Sequence, residues 1–149
     1  MSRLLRSQFS GGVGIDLDGN VGPKGGNQKT DVGAVQFGLL MLSSGPPNPI
    51  GGSRGSLVVP GQGTIAVDGF FGPQTAAFIN AFQAIRVRSP APSGFALPKP
   101  DGNFGSFRAN AWNYSLLESE AKGAGINIIE SIRTDGRAPM FLKQAFWSI

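Results

Sequence analysis

Residues Val67–Gln83 read VDGFFGPQTAAFINAFQ, a Gly-rich turn that runs straight into an Ala- and Phe-rich stretch. Pro73 suits the first position of a helix, where a backbone N–H has no intrahelical partner to lose. From Pro73 to about Ile85, the residues Phe78, Ile79, Phe82 and Ile85 recur at helical spacing and predict a buried stripe. Thr75, Asn80 and Gln83 lie off the centre of that stripe. The turn ahead of it, Asp68-Gly69-Phe70-Phe71-Gly72, has a physical logic of its own. An Asp carboxylate accepts a hydrogen bond from the backbone two residues on, and the Gly after it tolerates positive φ. The apolar residue then anchors the turn in the core, as a hydrophobic staple anchors a helix start.

The same pattern of Asp-Gly, any residue, an apolar residue and Gly occurs at Asp18–Gly22 (DGNVG) and at Asp101–Gly105 (DGNFG). The turn residues are therefore Asp18, Gly22, Asp68, Gly69, Phe71, Gly72, Asp101, Gly102, Phe104 and Gly105. Asp68 and Asp101 have turn-forming work to do, which reads as scaffold rather than catalysis.

Two more helices are predicted around these turns. Thr30–Leu42 places Val32, Val35, Leu39 and Leu42 on one face, with Thr30 or Asp31 as N-cap. Ser106–Lys122 places Phe107, Ala111, Tyr114 and Leu117 (or Leu116) on one face, with Ser106 as cap and Gly123 and Gly125 as terminators. Trp112 and Asn113 point elsewhere. The β-branched runs Ser56–Val59 and Thr64–Val67, joined by Pro-Gly-Gln-Gly, predict a small β-hairpin. Ile126–Arg133 fits a strand or a helix. Ala138–Ile149 reads as a short amphipathic helix whose apolar groups are Met140, Phe141, Phe146, Trp147 and Ile149.

In chain order, Asp31-Val32, Val35-Gln36, the run Val67–Thr75, Phe82-Gln83, Asp101–Gly105 and Trp112 form a pattern. It resembles the peptidoglycan-binding-like domain, a small three-helix module found on cell-wall hydrolases. The lead-in VGPKGGNQKTDVGAVQ (Val21–Gln36) resembles a subgroup of that family, and the resemblance spans residues 13–118. The loops Ser43–Gly63 and Ser89–Pro100 are longer and richer in Pro than the module requires, and the tail lies outside it.

The resemblance implies a mostly α fold: a three-helix peptidoglycan-binding-like bundle, here with a small β-hairpin and a C-terminal extension. The expected organisation is an N-terminal arm over residues 1–12, the domain over 13–122 and the extension over 123–149. It further implies non-catalytic binding of a peptidoglycan glycan or stem peptide in a groove between helices. Asn80, Gln83, Arg86, Arg88, Trp112 and Asn113, beside the apolar stripes, are the candidate ligand-binding residues. Arg86 or Arg88 suits a bidentate pair with a stem-peptide carboxylate.

Composition narrows the chemistry. The chain has neither cysteine nor histidine, which removes disulfides, thiol nucleophiles, a Ser-His-Asp triad and His-ligated zinc. Asp16, Asp18 and Asn20 stand at the first, third and fifth positions of a calcium loop, but Asn27 replaces its bidentate Glu, so no metal is expected. Glu118 and Glu120, two apart on a helix, diverge by about 200° and cannot act as a carboxylate pair. Glu130, within INIIESI, is the one acid in an apolar setting. Neither an enzyme nor a cofactor is expected.

A net charge of +4 and a pI near 10.0 suit an anionic partner. The positive residues are scattered, without a basic run interleaved with aromatics, so nucleic acid is not expected. Met1–Ser10 lacks an apolar run of signal-peptide length, and no stretch reaches membrane-spanning length. Together with the family resemblance, this implies two settings at the bacterial cell wall. One is a wall-binding module exported by a non-classical route. The alternative is a structural component of a phage or contractile-injection particle, with the fold used for docking other particle proteins. In that case Met140, Phe141, Phe146 and Trp147 are the docking candidates; otherwise the tail folds back over the core.

Overall fold

The computed structural model describes residues 3–6, 13–44, 57, 59–88, 99–106, 112–123 and 125–146. Among them the chain is mostly helical. Its order is β1 (Arg3–Arg6), β2 (Val13–Asp16), α1 (Lys29–Ser44), α2 (Pro73–Arg88), α3 (Tyr114–Gly123), α4 (Ile128–Thr134) and α5 (Met140–Ala145).

The first predicted helix is the centre of the molecule. The sequence pattern marks a single apolar face, yet every residue of α1 from Asp31 to Leu42 is buried. Helices α2, α3, α4 and α5 all pack against it. Small residues permit this crowding. A Cβ at Gly38 would lie 2.9 Å from the Tyr114 hydroxyl, and that hydroxyl donates to the Ala34 carbonyl at 2.7 Å. Burial, with the nearby Glu118 charge adding to it, holds the Tyr114 hydroxyl well above its ordinary pKa.

Helix α2 begins at Pro73 and buries Phe78, Ile79 and Phe82 as its spacing predicts, with Ile85 half-buried. Helix α3 starts later than expected. Ser106, Trp112 and Asn113 are not helical, and Phe107 and Ala111 lie outside the described residues. The cap is Asn113: its Oδ1 accepts from Ser115 N at 3.0 Å, satisfying a free amide of the first turn. Gly105 forms a parallel bridge to Asn113, so the chain before α3 is tied to the third turn.

The expected hairpin at Ser56–Val59 and Thr64–Val67 does not form. Leu57, Val59 and residues 64–67 are not in strands, and Ser56 and Val58 lie outside the described residues. Helix residues take the backbone groups that a ladder would need. Gln74 Oε1 accepts from Ala66 N at 3.0 Å, and Gln74 Nε2 donates to the Gln62 and Thr64 carbonyls at 2.8 and 3.2 Å. Leu57 N donates to the Leu42 carbonyl at 3.3 Å, and the buried Leu57 and Ile65 anchor the segment. The strands lie instead at the N-terminus, within and beyond the expected arm. β1 and β2 pair antiparallel, with Arg3 opposite Asp16 and Leu4 opposite Ile15.

The ambiguous Ile126–Arg133 segment is helical. Asn127 caps α4 by accepting from Glu130 N at 3.0 Å, and Ile128, Ile129 and Ile132 are buried. Among the described residues the last segment forms a helix over Met140–Ala145, after Pro139, and it folds back on α1 with Leu142 and Phe146 buried. Phe141 lies against Gly33, where a Cβ would come within 2.6 Å of the ring. Gly33→Ala is therefore expected to push that ring aside and loosen α5. The cost is about 2 kcal/mol, read by denaturant unfolding, because a well-packed contact does not accept an extra methyl.

Candidate functional site

The three Asp-Gly turns share more than sequence: each is gripped by one side chain projecting from a helix. At the second turn, Gln36 of α1 accepts at Oε1 from Asp68 N and Gly69 N, at 3.0 and 2.9 Å. Its Nε2 donates to Asp68 Oδ1, the Phe70 carbonyl and Thr75 Oγ1, at 3.0, 2.9 and 3.0 Å. Asp68 Oδ1 also accepts from Phe70 N at 2.9 Å, the expected Asx turn. Gly69 has φ +79°, which the turn requires and side chains resist.

The third turn repeats this arrangement from α2. Gln83 Oε1 accepts from Gly102 N at 2.8 Å, while Nε2 donates to the Asn103 carbonyl at 2.9 Å and to Asp101 Oδ1 at 3.3 Å. Asp101 Oδ1 accepts from Asn103 N at 2.9 Å, and Gly102 has φ +75°. At the first turn a carboxylate replaces the amide: Asp31 accepts from Asp18 N at 3.2 Å and Gly19 N at 3.0 Å. Asn27 completes it, accepting from Gly22 N and donating to the Gly22 carbonyl, both at 2.9 Å. The apolar residues of the first and third turns then join. Val21 and Phe104, both fully buried, exchange backbone hydrogen bonds of 2.8 and 2.9 Å. All three turns are thus held from inside by buried side chains, while Asp18, Asp68, Phe70 and Asp101 remain exposed.

The candidate ligand-binding residues do not share one open face. Gln83 is 0% exposed and Trp112 1% exposed, so neither reaches solvent. Gln83 is the clamp just described, and Trp112 Nε1 donates to the Lys99 carbonyl at 3.2 Å. This corrects the expectation that both line a groove: each buries a large side chain and finds its polar partner inside. Asn113 is the α3 cap. Arg86 is half-buried, its Nη1 held 3.1 Å from Glu120 Oε2, which ties α2 to α3. Asn80 is exposed, and the side chain of Arg88 lies outside the described residues.

Comparison with protein-family models, curated proteins and solved structures returns no match to this chain.

Two features escaped the sequence reading. The first is a half-buried acid. Glu130 is exposed on α4, whereas Glu118 of α3 lies under β2, its Oε1 accepting from Ile15 N at 2.9 Å. Burial pushes the Glu118 carboxyl up to about 7, against a smaller lowering by that hydrogen bond. Asp135 shows the opposite balance, its carboxyl lowered chiefly by the Arg137 guanidinium hydrogen-bonded to it. The second is a surface. Among the described residues, the large apolar side chains left exposed are Phe70 (70%) and Met140 (65%). Each is next in sequence to a residue of one contact: a Cβ on Gly69 would lie 3.2 Å from the Phe141 ring and 2.5 Å from Lys29 Cγ. Lys29 Nζ sits 4.8 Å from the centre of the same Phe141 ring. Gly69, Lys29 and Phe141 thus meet where the second turn touches α1 and α5, and Phe70 and Met140 are the chain neighbours of Gly69 and Phe141. No helix of the described chain is long and apolar enough to cross a membrane.

Proposed function

We propose that this chain is a non-catalytic module that binds peptidoglycan. α1, α2 and α3 form its three-helix peptidoglycan-binding-like core, and α4 and α5 are an extension that covers α1. The observation that carries the reading is the repeated glutamine clamp. The residues on which the family resemblance rests, Gln36 with Val67–Thr75 and Gln83 with Asp101–Gly105, are partners in space as well as in order. A net charge of +4 suits an anionic wall polymer.

The tail supports the wall reading over particle docking. Of the docking candidates, Phe146 is buried and Phe141 half-buried on α1; Met140 is exposed, and Trp147 lies outside the described residues. Purified protein is expected to co-sediment with insoluble peptidoglycan sacculi at low salt, and to be released as salt rises. Protein that stays in the supernatant at low salt overturns the proposal.

A further inference from the structure

We infer that Phe70 is a stacking platform for the sugar rings of the wall glycan, with Lys29 beside the turn that carries it. This deepens the peptidoglycan reading and rests on it. It moves recognition from the α2–α3 side, where Gln83 and Trp112 are buried, to the tip of the second turn.

The molecule carries its own controls. The residue between the Asp-Gly pair and the apolar anchor is Asn20 in the first turn, Asn103 in the third and Phe70 in the second. Asn20 is exposed and Asn103 half-buried, so a polar side chain suits this position. Phe70 places an aromatic ring there with 70% of its surface in water, a placement that folding does not reward. Nor is the ring carried on a loose loop. Phe70 N–H is held by Asp68 Oδ1 and its carbonyl by Gln36 Nε2, each at 2.9 Å, and Gln36 itself is buried. A pre-organised aromatic loses little entropy when it captures a ligand.

The surroundings set the chemistry of the ligand. A single exposed Phe offers far less than the roughly 800 Å² per partner that a stable protein interface buries. That area fits a sugar ring, whose C–H face complements the negative face of an aromatic ring. Lys29 is exposed and makes no ion pair among the described residues, so its ammonium is available to a stem-peptide carboxylate beside the glycan. A polymer that repeats both groups along the sacculus also turns weak single contacts into firm attachment.

The test compares four proteins in sacculus co-sedimentation: wild type, Phe70→Asn, Lys29→Gln and Lys122→Gln. Phe70→Asn installs the residue of the sister turns and so keeps the fold, which thermal unfolding verifies. Lys122 is exposed on α3 and controls for the loss of one positive charge. Phe70→Asn is expected to weaken binding about fivefold or more, and Lys29→Gln to weaken it more than Lys122→Gln does. On glycan strands stripped of their peptides, the Phe70 effect is expected to persist and the Lys29 effect to vanish. Wild-type binding that Phe70→Asn leaves unchanged overturns this surface but not the wall-binding proposal, and all the more so if Arg86→Ala weakens it. A dimer that Phe70→Asn dissociates, with sacculus binding intact, assigns the patch to a second copy and overturns it too. Wild-type protein that fails to sediment removes both readings together.

Discussion

Replacing Gln36 by alanine is expected to cost about 4 kcal/mol of stability and to lower the melting temperature by about 10 °C. The side chain is 1% exposed, and its amide serves five partners on one turn. Removing it leaves the Gly69 N–H and Thr75 Oγ1, both in buried residues, without their partner, and unsatisfied buried groups cost about 1–3 kcal/mol each. Two companion changes separate this clamp from a simple loss of volume. Gln36→Glu keeps an acceptor for the Asp68 and Gly69 amides but sets a carboxylate against Asp68 Oδ1, now 3.0 Å away. It should destabilise strongly at neutral pH and recover as the solution is acidified. Asp68→Asn retains the acceptor for Phe70 N and should cost under about 1 kcal/mol. Urea unfolding followed by circular dichroism reads all three, and a Gln36→Ala midpoint within error of wild type would falsify the clamp.

That clamp marks where the sequence stops being legible. The turns announce themselves locally, through Asp, Gly and an apolar anchor within five residues. Their partners do not. Gln36 and Gln83 stand 33 and 19 residues from the glycines they hold, and each looks like an ordinary polar residue at the margin of an apolar helix. A polar side chain enclosed by apolar neighbours on both sides of its turn is the signal that marks them. Helix α2 was readable because Pro73 and the Phe-Ile stripe are both local features. The depth of α1 was not, since periodicity reports the stripe it contains and says nothing of how many neighbours Gly33, Ala34 and Gly38 admit. The misplaced hairpin has a similar cause. Thr64–Val67 has strand-like composition, but Gln74 offers its backbone a nearer partner than a second strand. Exposure of Phe70 was equally hidden, because an apolar pair such as Phe70-Phe71 does not disclose which ring turns inward.

Glu118 gives the strongest dependence on pH. Its carboxyl titrates at about 7 in the folded protein against an ordinary 4.5, because burial under β2 penalises the charged form. Between those values the folded state holds a proton that the unfolded chain has released. Stability therefore falls as pH rises through this window, and the deficit persists above about pH 7. The full shift corresponds to about 3 kcal/mol, an upper value for a side chain that is not completely enclosed. Glu118→Gln keeps an oxygen for the Ile15 amide without a charge to bury. It is expected to be more stable than wild type by about 2 kcal/mol at pH 8 and similar to it at pH 5. Below the carboxylate range Asp135 acts in the opposite direction, since its lowered carboxyl stabilises the fold only while ionised, and this contribution is lost as the solution is acidified. The two groups therefore act in separate windows. Denaturant unfolding of wild type and Glu118→Gln at pH 5 and pH 8 isolates the first, and parallel behaviour of the two proteins across that range would show that the carboxyl is not the group responsible. Hydrogen exchange at the Ile15 amide adds a local readout. In the wild type its protection should change between pH 5 and pH 8 beyond the intrinsic rate change, because the acceptor of that amide gains a charge, and in Glu118→Gln it should not.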